Sequence, residues 1–233
     1  HALNVNDYPA LKVDGLHIFQ WGNMLSTDKL AALWRAMIQP LQQLARALRI
    51  ELNILDLGGG LGIPYTQDAS RLDWSALIET LASIKAQAGV AELWMELGRY
   101  AVGECGHYAT PVVERKENYG QQQVILSGGI NHLLRPAVTN QDFPVTVLRE
   151  SQASLTTMTL YGPLCTALDC LGEHTLANDV DEHDWLIFSQ CGAYGFTESM
   201  PYFLCHELAA EYVIEQGNIE CIRSAEDASY YLR

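Results

Sequence analysis

The sequence predicts two architectures in one chain, parallel α/β units followed by an all-β domain, and three observations carry this. Up to about residue 107, short apolar runs alternate with helix-length amphipathic stretches. From residue 108 the pattern changes to short β-type runs punctuated by Gly, Pro, Asn and Asp. Glycine-bearing stretches also stand where strands should end, at Leu57-Gly-Gly-Gly60 and Glu96-Leu-Gly-Arg99. The expected domains are therefore 1–107 and 108–233.

The elements follow in order. Gly15-Leu-His-Ile-Phe19 reads as a strand with almost nothing before it, so the chain is expected to begin in mid-fold. From Ser26 or Thr27, apolar residues recur at Leu30, Leu33, Trp34, Met37, Ile38, Leu41, Leu44 and Leu48, the period of an amphipathic helix. Pro40 should kink or break it. Leu52 to Leu57 is a second strand, and a helix capped by Asp73 and stopped at Gly89 carries Trp74, Leu77, Ile78, Leu81 and Ile84. Ala91 to Glu96 is a third strand. In the second domain, strands are expected at 109–116, 122–126, 145–149, 154–160 and 185–188, forming an antiparallel sheet.

Composition narrows the function classes. Twenty-eight acidic against fourteen basic residues give a formal charge of -14, a field that repels nucleic acid and anionic membrane, so neither is an expected partner. No apolar run approaches the roughly 20 residues that span a bilayer, and the first residues lack a basic stretch followed by an apolar one. Six cysteines without a CxxC pair suggest free thiols in a cytoplasmic protein. The histidines show no ligand spacing, so no metal is expected.

Several residues could carry chemistry. Three glycines after a strand can point backbone N–H groups at an anion, although a tight structural turn explains them equally well. Glu96 would share a rim with that turn, as an ion-pair partner or as the acceptor for a protonated ring nitrogen. Gly192-Ala-Tyr194 could offer a hydroxyl to an anion, while a packing tyrosine is the commoner role. His17 is more often a satisfied core histidine. Cys165, in Tyr161-Gly-Pro-Leu-Cys165-Thr166-Ala-Leu-Asp169, has no neighbouring histidine or cysteine that accounts for it.

In order, the chain shows Gly-x-His, Gly-Gly-Gly, Glu-x-Gly-Arg-Tyr, Gly-Gly-x5-Arg-Pro, Gly-Pro-x-Cys-x-x-x-Asp and Gly-Ala-Tyr. This ordered set resembles the ornithine/diaminopimelate decarboxylase family, fold-type III enzymes that use pyridoxal 5'-phosphate (PLP). The resemblance implies the last units of a (β/α)8 TIM-type barrel followed by a Greek-key-like β domain. It implies that Gly58, Gly59, Gly60, Gly98 and Arg99 bind the PLP phosphate with help from Tyr194, and that Glu96 pairs with the pyridine nitrogen. His17 and Phe19 would line the cofactor, with Phe19 where a stacking histidine normally stands. Cys165 would reach the active site of the opposite protomer in a homodimer and return a proton to the substrate. Arg135, Thr166 and Asp169 would face the small amino-acid substrate.

Departures from the family pattern refine these expectations. The lysine that carries the cofactor belongs to an early barrel strand, and none of Lys12, Lys29, Lys85 or Lys116 stands in that motif. An N-terminal segment of the same protein is therefore expected to complete the barrel and supply the lysine. Trp21-Gly22-Asn23 replaces the family's Gly-Ser-Gln. Thr166 stands where ornithine- and diaminopimelate-specific members have an acidic residue, which disfavours free diamino acids. Cys-Thr-x-Leu-Asp, Gly-Ala-Tyr-Gly-Phe-Thr-Glu-Ser and His206-Glu-Leu-Ala-Ala-Glu resemble a subgroup acting on conjugated amino acids, including siderophore enzymes of the citryl-diaminopropionate type. The rivals are a diaminopimelate- or ornithine-type decarboxylase, a catalytically inactive binding homologue and, last, a racemase.

Overall fold

The computed structural model describes residues 5–66 and 70–232. The chain divides into two compact units, His1–Val102 and Gly103–Arg233, so the division falls five residues before the change of sequence pattern at 107/108.

In the first unit, β1 (Gly15–His17), β2 (Ile54–Asp56) and β3 (Glu92–Trp94) form a parallel sheet in the order β1-β2-β3. Its register pairs His17 with Asp56 and Asp56 with Trp94. Between the strands run α1 (Thr27–Leu48) and α2 (Trp74–Ala88), and a short α3 (Gly98–Val102) follows. The caps explain the helix bounds. Ser26 accepts a hydrogen bond from the Lys29 amide at 3.3 Å, Asp73 does the same for Ala76 at 3.1 Å, and Gly89 closes α2 at φ 70°.

The predicted break at Pro40 is corrected, because α1 runs through it. Pro40 lies on the exposed face of the helix, where water can stand in for the missing N–H donor. Leu30, Trp34, Ile38 and Leu41 of α1 pack with Leu77 and Ile84 of α2, Leu55 of β2 and Leu57 just past it into the core of this unit. Leu44, expected on the buried face, is instead exposed, and the small Ala45 takes the inward position. β1 and β3 each hydrogen-bond to β2 alone within this sheet.

The second unit is built on a six-stranded sheet in the order β6-β9-β4-β5-β7-β8. Its strands are β4 (Tyr108–Asn118), β5 (Gln121–Leu126), β6 (Val145–Val147), β7 (Leu155–Tyr161), β8 (Cys170–Ala177) and β9 (Trp185–Phe188). The sheet is mixed, and this corrects the expectation of a purely antiparallel one: β5 and β7 run parallel. The reason is the connection between them, which carries two glycines, α4 (Arg135–Thr139) and β6 and so returns the chain to the starting end. Val112, Val124, Leu126, Met158, Leu160, Leu171, Leu186 and Phe188 form its buried side. A separate hairpin, β10 (Glu211–Glu215) and β11 (Asn218–Arg223), turns at Gln216-Gly217, both at positive φ. Among the described residues, no helix is long and apolar enough to cross a membrane.

Candidate functional site

In the first unit the predicted residues meet at the carboxyl ends of the three parallel strands, the end where β/α units place their ligands. His17 closes β1, Asp56 closes β2 and Glu96 lies two residues past β3. His17 Nε2 is 3.4 Å from Glu96 Oε1, and ligand atoms of His17, Asp56 and Glu96 all lie within 4.8 Å of one another. Sequence spacing missed Asp56 entirely, since only the register of the sheet brings it beside the other two.

The triple-glycine turn is pinned by backbone on several sides. Asp56 Oδ1 accepts the Gly58 amide at 2.9 Å, the Glu96 amide donates to Gly58 O at 2.8 Å, and the Met24 amide donates to Gly60 O at 2.7 Å. Gly58 (φ 66°) and Gly60 (φ 108°) occupy backbone conformations that favour glycine, and a Cβ at Gly59 would come 2.8 Å from Glu96 O. The close approach of neighbouring backbone requires glycines, as a tight structural turn would, and the turn leaves backbone donors open. Among the described residues the amides of Gly59, Gly60 and Gly98 donate no hydrogen bond. An anion such as a phosphate would satisfy them. A Cβ at Gly98 would meet nothing within 4 Å, so that glycine is not imposed by local packing.

Phe19 packs against this turn with its ring edge near Gly59 and is 60% exposed, which leaves an open aromatic face. Arg99 lies over the ring of Tyr65 at 5.5 Å. The donor set fits PLP: free amides suit a phosphate, a carboxylate suits a ring nitrogen, and an aromatic face suits a planar ring.

The second unit gathers the remaining candidates. Asp169, expected to face substrate, is 2% exposed, and both its carboxylate oxygens are engaged. Oδ1 accepts the Ile130 amide and Oδ2 the Leu164 amide, each at 2.7 Å. This corrects its role to that of a connector between the Gly128-Gly129 turn and the Gly-Pro-x-Cys turn. The space it takes explains two glycines, because a Cβ on Gly129 or Gly162 would collide with its carboxylate. Cys165 lies in the same turn, free and exposed, beside Thr166, whose hydroxyl accepts the Leu168 amide at 3.3 Å.

Arg135 opens α4. Its Nη1 donates to Glu198 Oε2 at 2.8 Å, its Nε to Gln141 Oε1 at 3.3 Å, and its guanidinium lies 5.0 Å from the ring centroid of Tyr194. Tyr194 itself sits at φ 56° and is 45% exposed. Glu198 was not singled out by the sequence reading, and its only sequence signal was its place in Gly-Phe-Thr-Glu-Ser. Nearby, Tyr108 and His132 are bonded at 3.0 Å, and burial holds the His132 imidazole below its usual range and the Tyr108 phenol above its own. Cys191, bonded through Sγ to Phe188 O, is pushed up to about 12 by burial, which leaves it an inert thiol.

Comparison with known proteins gives the same family picture. The family model described as pyridoxal-dependent decarboxylase, C-terminal sheet domain, matches residues 12–192. An L-glutamyl-[BtrI acyl-carrier protein] decarboxylase of Niallia circulans is 27% identical over 91% of this chain and 53% of its own length. A 2-[(L-alanin-3-ylcarbamoyl)methyl]-2-hydroxybutanedioate decarboxylase of Staphylococcus aureus is 24% identical over 85% of the chain and 52% of its own. The crystal structure of diaminopimelate decarboxylase from M. jannaschii with L-lysine shares the fold at a TM-score of 0.80 and 23% identity, covering 92% of this chain and 50% of that one. The chain spans about half the length of the curated relatives it matches.

Proposed function

The chain belongs to the pyridoxal-dependent decarboxylases, and from that premise we propose that the protein removes the α-carboxyl group of a conjugated L-amino acid, as in siderophore assembly of the citryl-diaminopropionate type. The observation that carries this reading is the strand-end site, where the amides of Gly59, Gly60 and Gly98 have no partner among the described residues beside the carboxylate of Glu96 and the ring of Phe19. The substrate class is supported by the names of two relatives, one acting on a carrier-tethered glutamyl group and one on a carbamoyl-linked compound. Thr166 supports it too, since a hydroxyl cannot form the charge pair that a free distal ammonium needs.

When bound, PLP supplies an electron sink for the charge left at the α-carbon as carbon dioxide departs. The residues of this chain would hold and steer. Gly59, Gly60, Gly98 and Arg99 would hold the phosphate, Gly58 shaping the turn with its own amide on Asp56, Glu96 would keep the pyridine nitrogen protonated, and His17 would support Glu96. Phe19 would offer its exposed ring to one face of the cofactor and shield that face from water. Cys165 gives a proton to the α-carbon in the site of a partner subunit of a homodimer. An N-terminal segment pairs with an edge of the three-stranded sheet, completes the barrel and brings the lysine. The six free cysteines suit a reducing cytoplasm.

The test uses the full-length protein. A visible absorbance with PLP that borohydride bleaches, together with carbon dioxide release from an amide-linked diaminopropionate, is the expected result. A protein that stays colourless with added PLP would overturn the reading.

A further inference from the structure

The guanidinium of Arg135 is already engaged on most of its donor edge. Nε donates to Gln141, Nη1 donates to both oxygens of Glu198 at 2.8 and 3.2 Å, and the plane rests on Tyr194. The Arg135 side chain is 15% exposed and that of Glu198 39%. Glu198 is thus the more open member of the pair, and among the described residues Nη2 is the one guanidinium nitrogen without a partner.

This arrangement changes what Arg135 can recognise. A carboxylate approaching Nη2 would meet a guanidinium whose charge Glu198 already offsets from Nη1, and would be repelled by Glu198 in addition, so its net attraction is much reduced. A neutral carbonyl takes the same N–H group without that repulsion. Placing a compensating charge beside a cation is a way of rejecting the wrong ligand as well as holding the right one.

We infer that Glu198 is a specificity-determining residue, which makes Arg135 accept an amide-type carbonyl of the substrate through Nη2 and turn away a free carboxylate at that position. This rests on the conjugated substrate proposed above and on the family resemblance for the placement of Arg135 toward it, and it deepens that reading by naming an amide carbonyl as the recognised group.

Calorimetric titration of the full-length holoenzyme with two isosteric pairs tests it: glutamine against glutamate, and the succinamoyl against the succinyl conjugate of 2,3-diaminopropionate. The amide should bind more tightly than the acid in wild type in at least one pair. In Glu198→Gln that ratio should fall by about tenfold or more, and in Glu198→Asp it should return toward the wild-type value. A purely structural role would weaken both members equally and lower the melting temperature, and that outcome overturns the inference. So does a wild type that prefers the acid in both pairs, or one that binds none of the four. Binding carries this test, whereas PLP absorbance and carbon dioxide release carry the function reading, so failure of one is separable from failure of the other.

Discussion

Tyr108 donates a hydrogen bond of 3.0 Å to Nδ1 of His132, because the other ring nitrogen, Nε2, lies 2.8 Å from the Glu207 carbonyl, which can only accept. This is the arrangement of a neutral imidazole and a neutral phenol, the forms that burial favours at both groups. Burial is the main reason that His132 is held below its ordinary value of 6.5, and the Glu207 carbonyl opposes it. The unfolded chain then binds this proton more readily than the folded one, so stability from the neutral imidazole is present above about pH 6.5 and is lost as pH falls. Thermal melts from pH 8 to pH 5 should show wild type losing stability across this window. His132→Gln should start lower and lose less, and parallel curves for the two proteins would show that His132 is not the titrating group.

Asp169 should be a stability residue first. Removing its carboxylate strands two buried amides, so Asp169→Ala should cost about 2–4 kcal/mol in denaturant unfolding. Asp169→Asn should also destabilise, since a side-chain NH2 would face at least one N–H donor. A variant as stable as wild type would contradict the connector role.

The glycines of the strand-end site should separate into two classes. Gly58→Ala places a Cβ against Ile18 O at positive φ and should cost about 1–3 kcal/mol together with PLP affinity. Gly98→Ala enters open space, so it should keep the melting temperature and lose only cofactor affinity, read by absorbance titration. Equal melting losses for both would refute the distinction.

Cys165→Ser should retain PLP absorbance in the full-length protein while slowing turnover by about 100-fold, the scale of a lost proton donor. Carbon dioxide release and product stereochemistry that match wild type would remove Cys165 from the mechanism.

The sequence shows some of this directly and conceals the rest for definite reasons. Asp73 and Gly89 bound α2 as capping chemistry demands, because cap signals are local. β8 escaped notice because Gly172, at φ 98°, and His174 interrupt its apolar alternation. β10 and β11 escaped because a hairpin exposed on both faces shows no inward pattern. The parallel pairing of β5 with β7 depends on where a long connection returns, which no local signal encodes. The same holds for the site. The triple glycine and Glu96 announce themselves by residue type and spacing, whereas Asp56 joins them only through sheet register. Glu198 meets Arg135 from 63 residues away, and the burial of Asp169 depends on two turns meeting in space.

The carboxylate of Asp169 fills the volume that side chains on Gly129 and Gly162 would need. These three positions are consequently coupled in their tolerance of change. A side chain at either glycine would require a smaller residue at 169, yet that replacement strands the amides of Ile130 and Leu164. In a pairwise mutational scan, no single compensating substitution should rescue Gly129→Ala, and the path from this sequence to one with a different connector at these turns passes through poorly folded intermediates.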